Sequence, residues 1–150
     1  VDTTRFQAML AQGMFLEHAR VFDHYYGTSR PWVMERLQQG TDVILEIDWQ
    51  GARQVRSLWP DSVSVFILPP SRTVLEQRLR SRAQDSEEVI ARRMRDAARE
   101  IAHYGDYDYL VVNEDFTRAL SDLQHIMSAR RLRRQVQEQR LQPLLAMLLA

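Results

Sequence analysis

Residues 43–51 read Val43-Ile44-Leu45-Glu46-Ile47-Asp48-Trp49-Gln50-Gly51, an apolar run that breaks into a loop carrying two carboxylates, an amide and a glycine. Gly40-Thr41-Asp42 precedes it and Gly51 ends it, a pattern that predicts a short parallel strand over 43–47, buried on both faces. Acidic residues are costly in such a run unless a cation or a hydrogen-bond donor meets them. Glu46 and Asp48 are two apart, so both project from one face as the strand ends. Open α/β sheets hold ligands just beyond the carboxyl ends of their strands. The stretch therefore points to a nucleotide or metal site.

Outward from this run, strands and helices alternate. Thr4 to Gln12 predicts a short helix closed by Gly13, and Met14 to Phe22 a strand carrying Glu17, His18 and Arg20. Tyr25-Tyr26-Gly27-Thr28 reads as an aromatic turn, after which Ser29 caps a helix with Pro31 in its first turn, ending near Gly40. A helix from about Gln50 to Leu58 follows, then a second buried strand over Val63 to Leu68, stopped by Pro69-Pro70. Ser71 caps a helix to about Arg82. Ala83-Gln84-Asp85 interrupts it, and Asp85 with Glu88 reads as a capping pair for a helix running to about Tyr104. Tyr109 to Val112 is a third strand, and Asp115 caps a long terminal helix. This order predicts an α/β fold, a parallel sheet flanked by helices, in a single domain over 1–150.

Composition narrows the function classes. Twenty basic and twenty acidic residues cancel, so nothing global argues for nucleic acid or a membrane surface as partner. There is no cysteine, hence no disulfide framework, thiolate metal site or thiol nucleophile. No apolar stretch reaches membrane-spanning length, and the amino terminus carries no signal-peptide pattern, which together predict a cytoplasmic protein. All twenty basic residues are arginine, and the first residue is Val1, features that predict a fragment of a longer chain. The apolar Leu141 to Leu149 end asks for a partner surface and allows a homo-oligomer.

Two further groups carry candidate chemistry. Arg78 and Arg82 are four apart and share a helix face, and Arg93 follows after the break. Guanidinium forks suit phosphate oxygens, whose transfer is catalysed mainly by positioning and charge neutralisation. Spacing alone favours a solvated helix whose arginines pair with Glu76, Glu87 and Glu88. Glu17 with Tyr25, Tyr26 and Thr28 forms a candidate base pocket, since a carboxylate accepts paired hydrogen bonds and guanine presents N1–H and its 2-amino group side by side. The bland alternative is an amphipathic edge strand with an exposed Glu17 and packed tyrosines. His18, His24, His103 and His125 show no metal-ligand spacing, and Trp32, Trp49 and Trp59 read as packing residues. Asn113, after a buried strand, is either an adenine contact or the entry to a turn.

Taken together, Phe15-Leu16-Glu17-His18-Ala19, Tyr25-Tyr26-Gly27-Thr28, Glu46-Ile47-Asp48-Trp49-Gln50-Gly51-Ala52, Ile67-Leu68-Pro69-Pro70-Ser71, Arg82-Ala83-Gln84-Asp85-Ser86-Glu87-Glu88 and Val112-Asn113-Glu114-Asp115 stand in an order and spacing that resembles bacterial guanylate kinase along the whole chain. The resemblance implies a P-loop nucleoside monophosphate kinase-like fold, a GMP-binding region that includes about 5–30, and a lid at about 78–95. It implies phosphoryl transfer from ATP to GMP, giving ADP and GDP, with Mg2+. It assigns Glu17, Thr28 and Asp48 to guanine, Tyr26 to the GMP phosphate, and Glu46 to the neighbourhood of magnesium, through water. Arg78 and Arg82 match lid arginines over the ATP phosphates, Arg93 one directed between the two nucleotides, and Asn113 the adenine side. Ala83 stands where the family usually has glycine, which implies a slightly stiffer lid.

One departure matters. The family's first strand and its Gly-rich loop ending in Gly-Lys-Ser/Thr are absent from these 150 residues, which contain no lysine. The expectation is that this chain alone is inactive. The alternative is a non-catalytic guanylate-kinase-like protein-binding module, against which the retained Glu17, Asp48, Arg78, Arg82 and Arg93 weigh.

Overall fold

A computed structural model describes residues 1–21, 24–82 and 86–150. The chain divides into two compact units, Val1–Ser64 and Val65–Ala150.

The first unit starts with α1 (Thr3–Ala11), whose N-cap is Asp2, its carboxylate accepting from Arg5 N–H at 2.7 Å. Gly13 closes it at φ 65°, a left-handed position that glycine takes without steric cost. A hairpin of β1 (Phe15–Val21) and β2 (His24–Ser29) follows, antiparallel, with a register shift between Phe15 and Glu17. The expected turn at Tyr25 to Thr28 is therefore a strand: its β-branched and aromatic residues pair with β1. Ser29 and Pro31 begin α2 (Arg30–Gln38) as expected. The buried Phe6 stacks on Phe15 at 4.4 Å and on Tyr25 at 5.2 Å between ring centroids, fastening α1 to the hairpin. Leu16 and Val33 complete this core. The last helix of the unit is α3 (Trp49–Leu58).

The run at 43–47 departs from expectation. Residues 41–48 hold no helix or strand, and burial alternates along them: Val43, Leu45 and Ile47 are half-buried, whereas Ile44 (72% exposed) and Glu46 face outward. An apolar run supplies side chains, but a strand exists only through a neighbour's hydrogen bonds, and no described strand forms a ladder with it. Trp32 is likewise not a packing residue, being 49% exposed with the Arg36 guanidinium 5.5 Å from its ring centroid.

The second unit holds a parallel pair, β3 (Val65–Leu68) and β4 (Tyr109–Val112), in the register Val65 to Tyr109 through Leu68 to Val112. The expected three-stranded sheet is thus a two-stranded one, and Ile67, Leu110 and Val112 are each about half exposed on it. Between the strands run α4 (Arg72–Arg82), capped by Ser71 as expected, and α5 (Glu87–Ile101). The N-cap of α5 is Ser86, which accepts from Val89 N–H, and not the expected Asp85, which lies outside the described residues with Ala83 and Gln84. Asp115 caps α6 (Phe116–Arg131) as expected. The single terminal helix of the expectation is two, because the chain breaks at Leu132 and Arg133 before α7 (Arg134–Leu149). No described helix is long and apolar enough to cross a membrane.

Candidate active site

In the first unit, the antiparallel register places Glu17 opposite Thr28 and Ala19 opposite Tyr26. Strand alternation therefore puts Glu17, Thr28 and Tyr26 on one face of the hairpin. Tyr25 lies on the other, against Phe6, so it is a packing residue and leaves the candidate pocket. Tyr26 is 56% exposed, its ring open to a ligand.

Glu17 is buried, at 6% exposure, which overturns the reading of an exposed strand carboxylate. Its Oε1 accepts the Thr28 hydroxyl at 2.5 Å. Its Oε2 lies beside Gly51, where an added Cβ would come within 3.0 Å of that oxygen and 3.1 Å of Ile47 Cβ. Asp48 caps α3, its Oδ1 accepting from Gly51 N–H at 2.8 Å. Both carboxylates thus meet at the first turn of α3, where unpaired N–H groups and the helix dipole favour negative charge. Asp48 thus has a structural duty at the helix start through one of its two oxygens.

The sequence marks Gly51 only as the end of the apolar run, without its contact to Glu17, and does not flag the next contact along α3. Gln54, one turn beyond Gly51, bonds both backbone groups of His18: His18 N–H donates to Gln54 Oε1 at 3.1 Å, and Gln54 Nε2 donates to His18 O at 2.9 Å. The only sequence signal was the helical spacing of Asp48, Gly51 and Gln54, which puts all three along one side of α3. Glu46, exposed in the irregular stretch before Asp48, takes no part in this cluster.

Gly51→Ala is expected to weaken ligand binding at Glu17 by about tenfold, since each 1.4 kcal/mol is a factor of ten and the carboxylate must yield to the new methyl group. Thermal unfolding should move little, because alanine gains helix propensity. Calorimetric titration beside a melting curve checks both.

In the second unit, Arg78 and Arg82 lie one turn apart on α4, and Arg93 lies on α5, exposed. Arg80 is ion-paired between these helices. It donates through Nε and Nη2 to Glu76 Oε1 at 3.2 and 2.9 Å, through Nη2 to Glu87 Oε2 at 2.7 Å, and through Nη1 to Glu87 Oε1. The bland reading of this segment holds for Arg80, then, and Arg78 stands outside that network. Glu87's carboxyl is held below its ordinary 4.5 by Arg80's hydrogen bonds. A depressed carboxyl pKa means a contact that is present at neutral pH and lost as pH falls through the lowered value. A 13C titration of the Glu87 carboxyl should therefore give a midpoint below 4.5, returning towards it in Arg80→Gln. Asn113 follows β4, its N–H donating to Leu68 O at 2.8 Å, so its backbone extends the parallel ladder by one bond at the carboxyl ends of both strands.

A buried acid at a helix start suits a ligand that brings paired donors, and arginines suit phosphate oxygens. The protein-family model described as Guanylate kinase matches residues 1–130. The chain belongs to the guanylate kinase family. The guanylate kinase of Alkalilimnicola ehrlichii is 61% identical over 97% of this chain and 70% of its own length. That of Methylococcus capsulatus is 60% identical over 99% of this chain and 73% of its own. The crystal structure of guanylate kinase from Anaplasma phagocytophilum superposes with a TM-score of 0.72 at 32% identity, covering 93% of this chain and 72% of that one. The parallel pair with its flanking helices is the α/β fold of a P-loop nucleoside monophosphate kinase, and the family's reaction is phosphoryl transfer from ATP to GMP.

Proposed function

We propose that these 150 residues supply the GMP-recognition face and the lid arginines of an ATP:GMP phosphotransferase, without supplying its phosphate loop. The observation that carries the reading is the burial of Glu17 with no described side chain of opposite charge paired to it. A buried carboxylate without a cation is costly, and the cost is offset when a ligand brings donors to it. Guanine brings two, N1–H and the 2-amino group, whereas adenine meets the carboxylate with an acceptor at N1. Thr28 orients the acid, and Asp48 offers its remaining oxygen. Tyr26, exposed on the same face, presents its hydroxyl to the GMP phosphate.

Arg78, Arg82 and Arg93 act as counter-charges to the phosphates of ATP and to the group in transfer. Asn113, at the end of the parallel pair, belongs on the adenine side. Magnesium binds through one or two carboxylates with substrate phosphates and water. Among the described residues no cluster of three acidic, histidine or cysteine groups forms a protein cage. An exposed Glu46 suits the phosphate-sharing kind of site, through a bridging water. When bound, the ion neutralises charge on the phosphates. The cytoplasm, where both nucleotides are pooled, is the setting of this activity.

Calorimetry with GMP, inosine monophosphate and AMP tests the reading. GMP is expected to bind tightest and AMP not at all. Binding of a phosphopeptide without GMP binding overturns it in favour of a protein-binding module.

A further inference from the structure

We infer that Gln54 is a positioning residue for guanine recognition, acting as a one-residue strand on the open edge of β1; this rests on the reading of Glu17 given above. β1 pairs with β2 along one edge. His18 turns both of its main-chain groups to the opposite edge, where a third strand would ordinarily take them. The Gln54 carboxamide takes them instead, with its acceptor on the N–H at 3.1 Å and its donor on the C=O at 2.9 Å. A carboxamide has the donor and acceptor of a peptide group, so one side chain completes the ladder at that residue.

Two observations tie this clamp to Glu17. The register of β1 against β2 shifts between Phe15 and Glu17, so Glu17 stands at the start of the regular pairing, beside the irregularity. The opposite edge braces it from the other side, because α3 meets β1 at two successive points: Gln54 on the His18 backbone, and Gly51 against the Glu17 carboxylate. Glu17 and His18 are adjacent and face opposite sides of the strand. Holding His18 at its backbone therefore fixes the tilt with which Glu17 enters the gap at Gly51. The seat is narrow, since a Cβ built at residue 51 would stand only 3.0 Å from Oε2. Gln54 touches no ligand and works through the strand.

Gln54→Met keeps the volume and removes both bonds, and Gln54→Glu keeps the acceptor and loses the donor. The readout is the ratio of affinities for GMP and for inosine monophosphate, which lacks the 2-amino group and so uses less of Glu17. In Gln54→Met the GMP dissociation constant should rise about tenfold, with that for inosine monophosphate nearly unchanged and the ratio collapsing. Gln54→Glu should move the ratio the same way by less. Hydrogen exchange at the His18 amide should quicken in Gln54→Met and stay slow in Gln54→Glu, whose carboxylate still accepts from it. A general loss of packing would weaken both ligands alike.

The inference is overturned if the folded variants keep the parent ratio, or if the His18 amide stays as protected as before in Gln54→Met. Glu17→Gln separates it from the reading beneath it. Loss of GMP preference in Glu17→Gln but not in Gln54→Met removes the positioning role alone. An unchanged preference in Glu17→Gln removes the guanine reading, while the exchange measurement still decides whether the clamp holds the strand.

Discussion

Glu17→Gln should raise the dissociation constant for GMP by about a hundredfold, on the scale of 1.4 kcal/mol per factor of ten, and leave AMP as poor a ligand as before. The substitution is nearly isosteric, so the packing around residue 17 survives. Thr28 keeps an acceptor for its hydroxyl, now held at 2.5 Å by Glu17 Oε1. What changes is the group turned to the base. A carboxylate offers lone pairs to two adjacent donors, whereas an amide offers one acceptor and sets its own N–H against the other donor. Charge-assisted hydrogen bonds contribute about 1.5–3 kcal/mol each, and an opposed donor pair costs more than a merely missing bond. Stability should move the other way or not at all, because the variant no longer buries an unpaired charge. Calorimetric titration with a parallel melting curve decides the matter. An unchanged GMP affinity would show that Glu17 serves only to hold Thr28, and the guanine reading would fall.

Glu17 also shows how far the sequence could be read. Its neighbours Tyr25, Tyr26 and Thr28 were nameable as a pocket from their chemistry, but on residue types alone a buried acid and a solvated one look the same. The register separates them. Because Glu17 pairs with Thr28 and Ala19 with Tyr26, the two tyrosines fall on opposite faces, one in the core against Phe6 and one open to a ligand. Helices and their caps were legible because capping is local: Ser29, Ser71 and Asp115 each take the N–H three residues on. The run at 43–47 was not, since its apolar residues say that a strand would suit the place, and only a neighbouring strand can make one. The contacts that fix the acid, Gly51 by its missing Cβ and Gln54 by its amide, were illegible for the same reason. Each matters through a partner more than thirty residues away in the chain.

The polypeptide of these 150 residues is expected to show no measurable kinase turnover, even where it binds GMP. Phosphoryl transfer asks little covalent chemistry of a protein. It asks that the phosphates be cradled, that their charge be neutralised, and that donor and acceptor be held in line. On the proposed reading the arginines of α4 and α5 answer the second demand, and Glu17, Thr28 and Asp48 hold one of the two nucleotides. The cradle is a run of backbone N–H groups that needs closely spaced glycines followed by a lysine. The five glycines stand at 13, 27, 40, 51 and 105, no two close enough for such a loop, and there is no lysine in the sequence. Arginine is no equivalent, because a planar guanidinium fork and a compact ammonium point charge differ in shape and hydrogen-bond geometry. A single charged group at a phosphoryl transition state is worth about 10³–10⁵ in rate, and here the loop's N–H groups are wanting as well. A coupled assay of ADP release with GMP, ATP and magnesium should therefore read at least about a thousandfold below a relative that carries the loop. Fusing a Gly-Lys-Ser-bearing strand and helix from such a relative ahead of Val1 should restore turnover, because the proposed reading puts the GMP side within these residues. Activity within tenfold of that relative in the unfused chain would mean that the arginines alone carry the transfer, and the division of labour proposed for this site would be wrong.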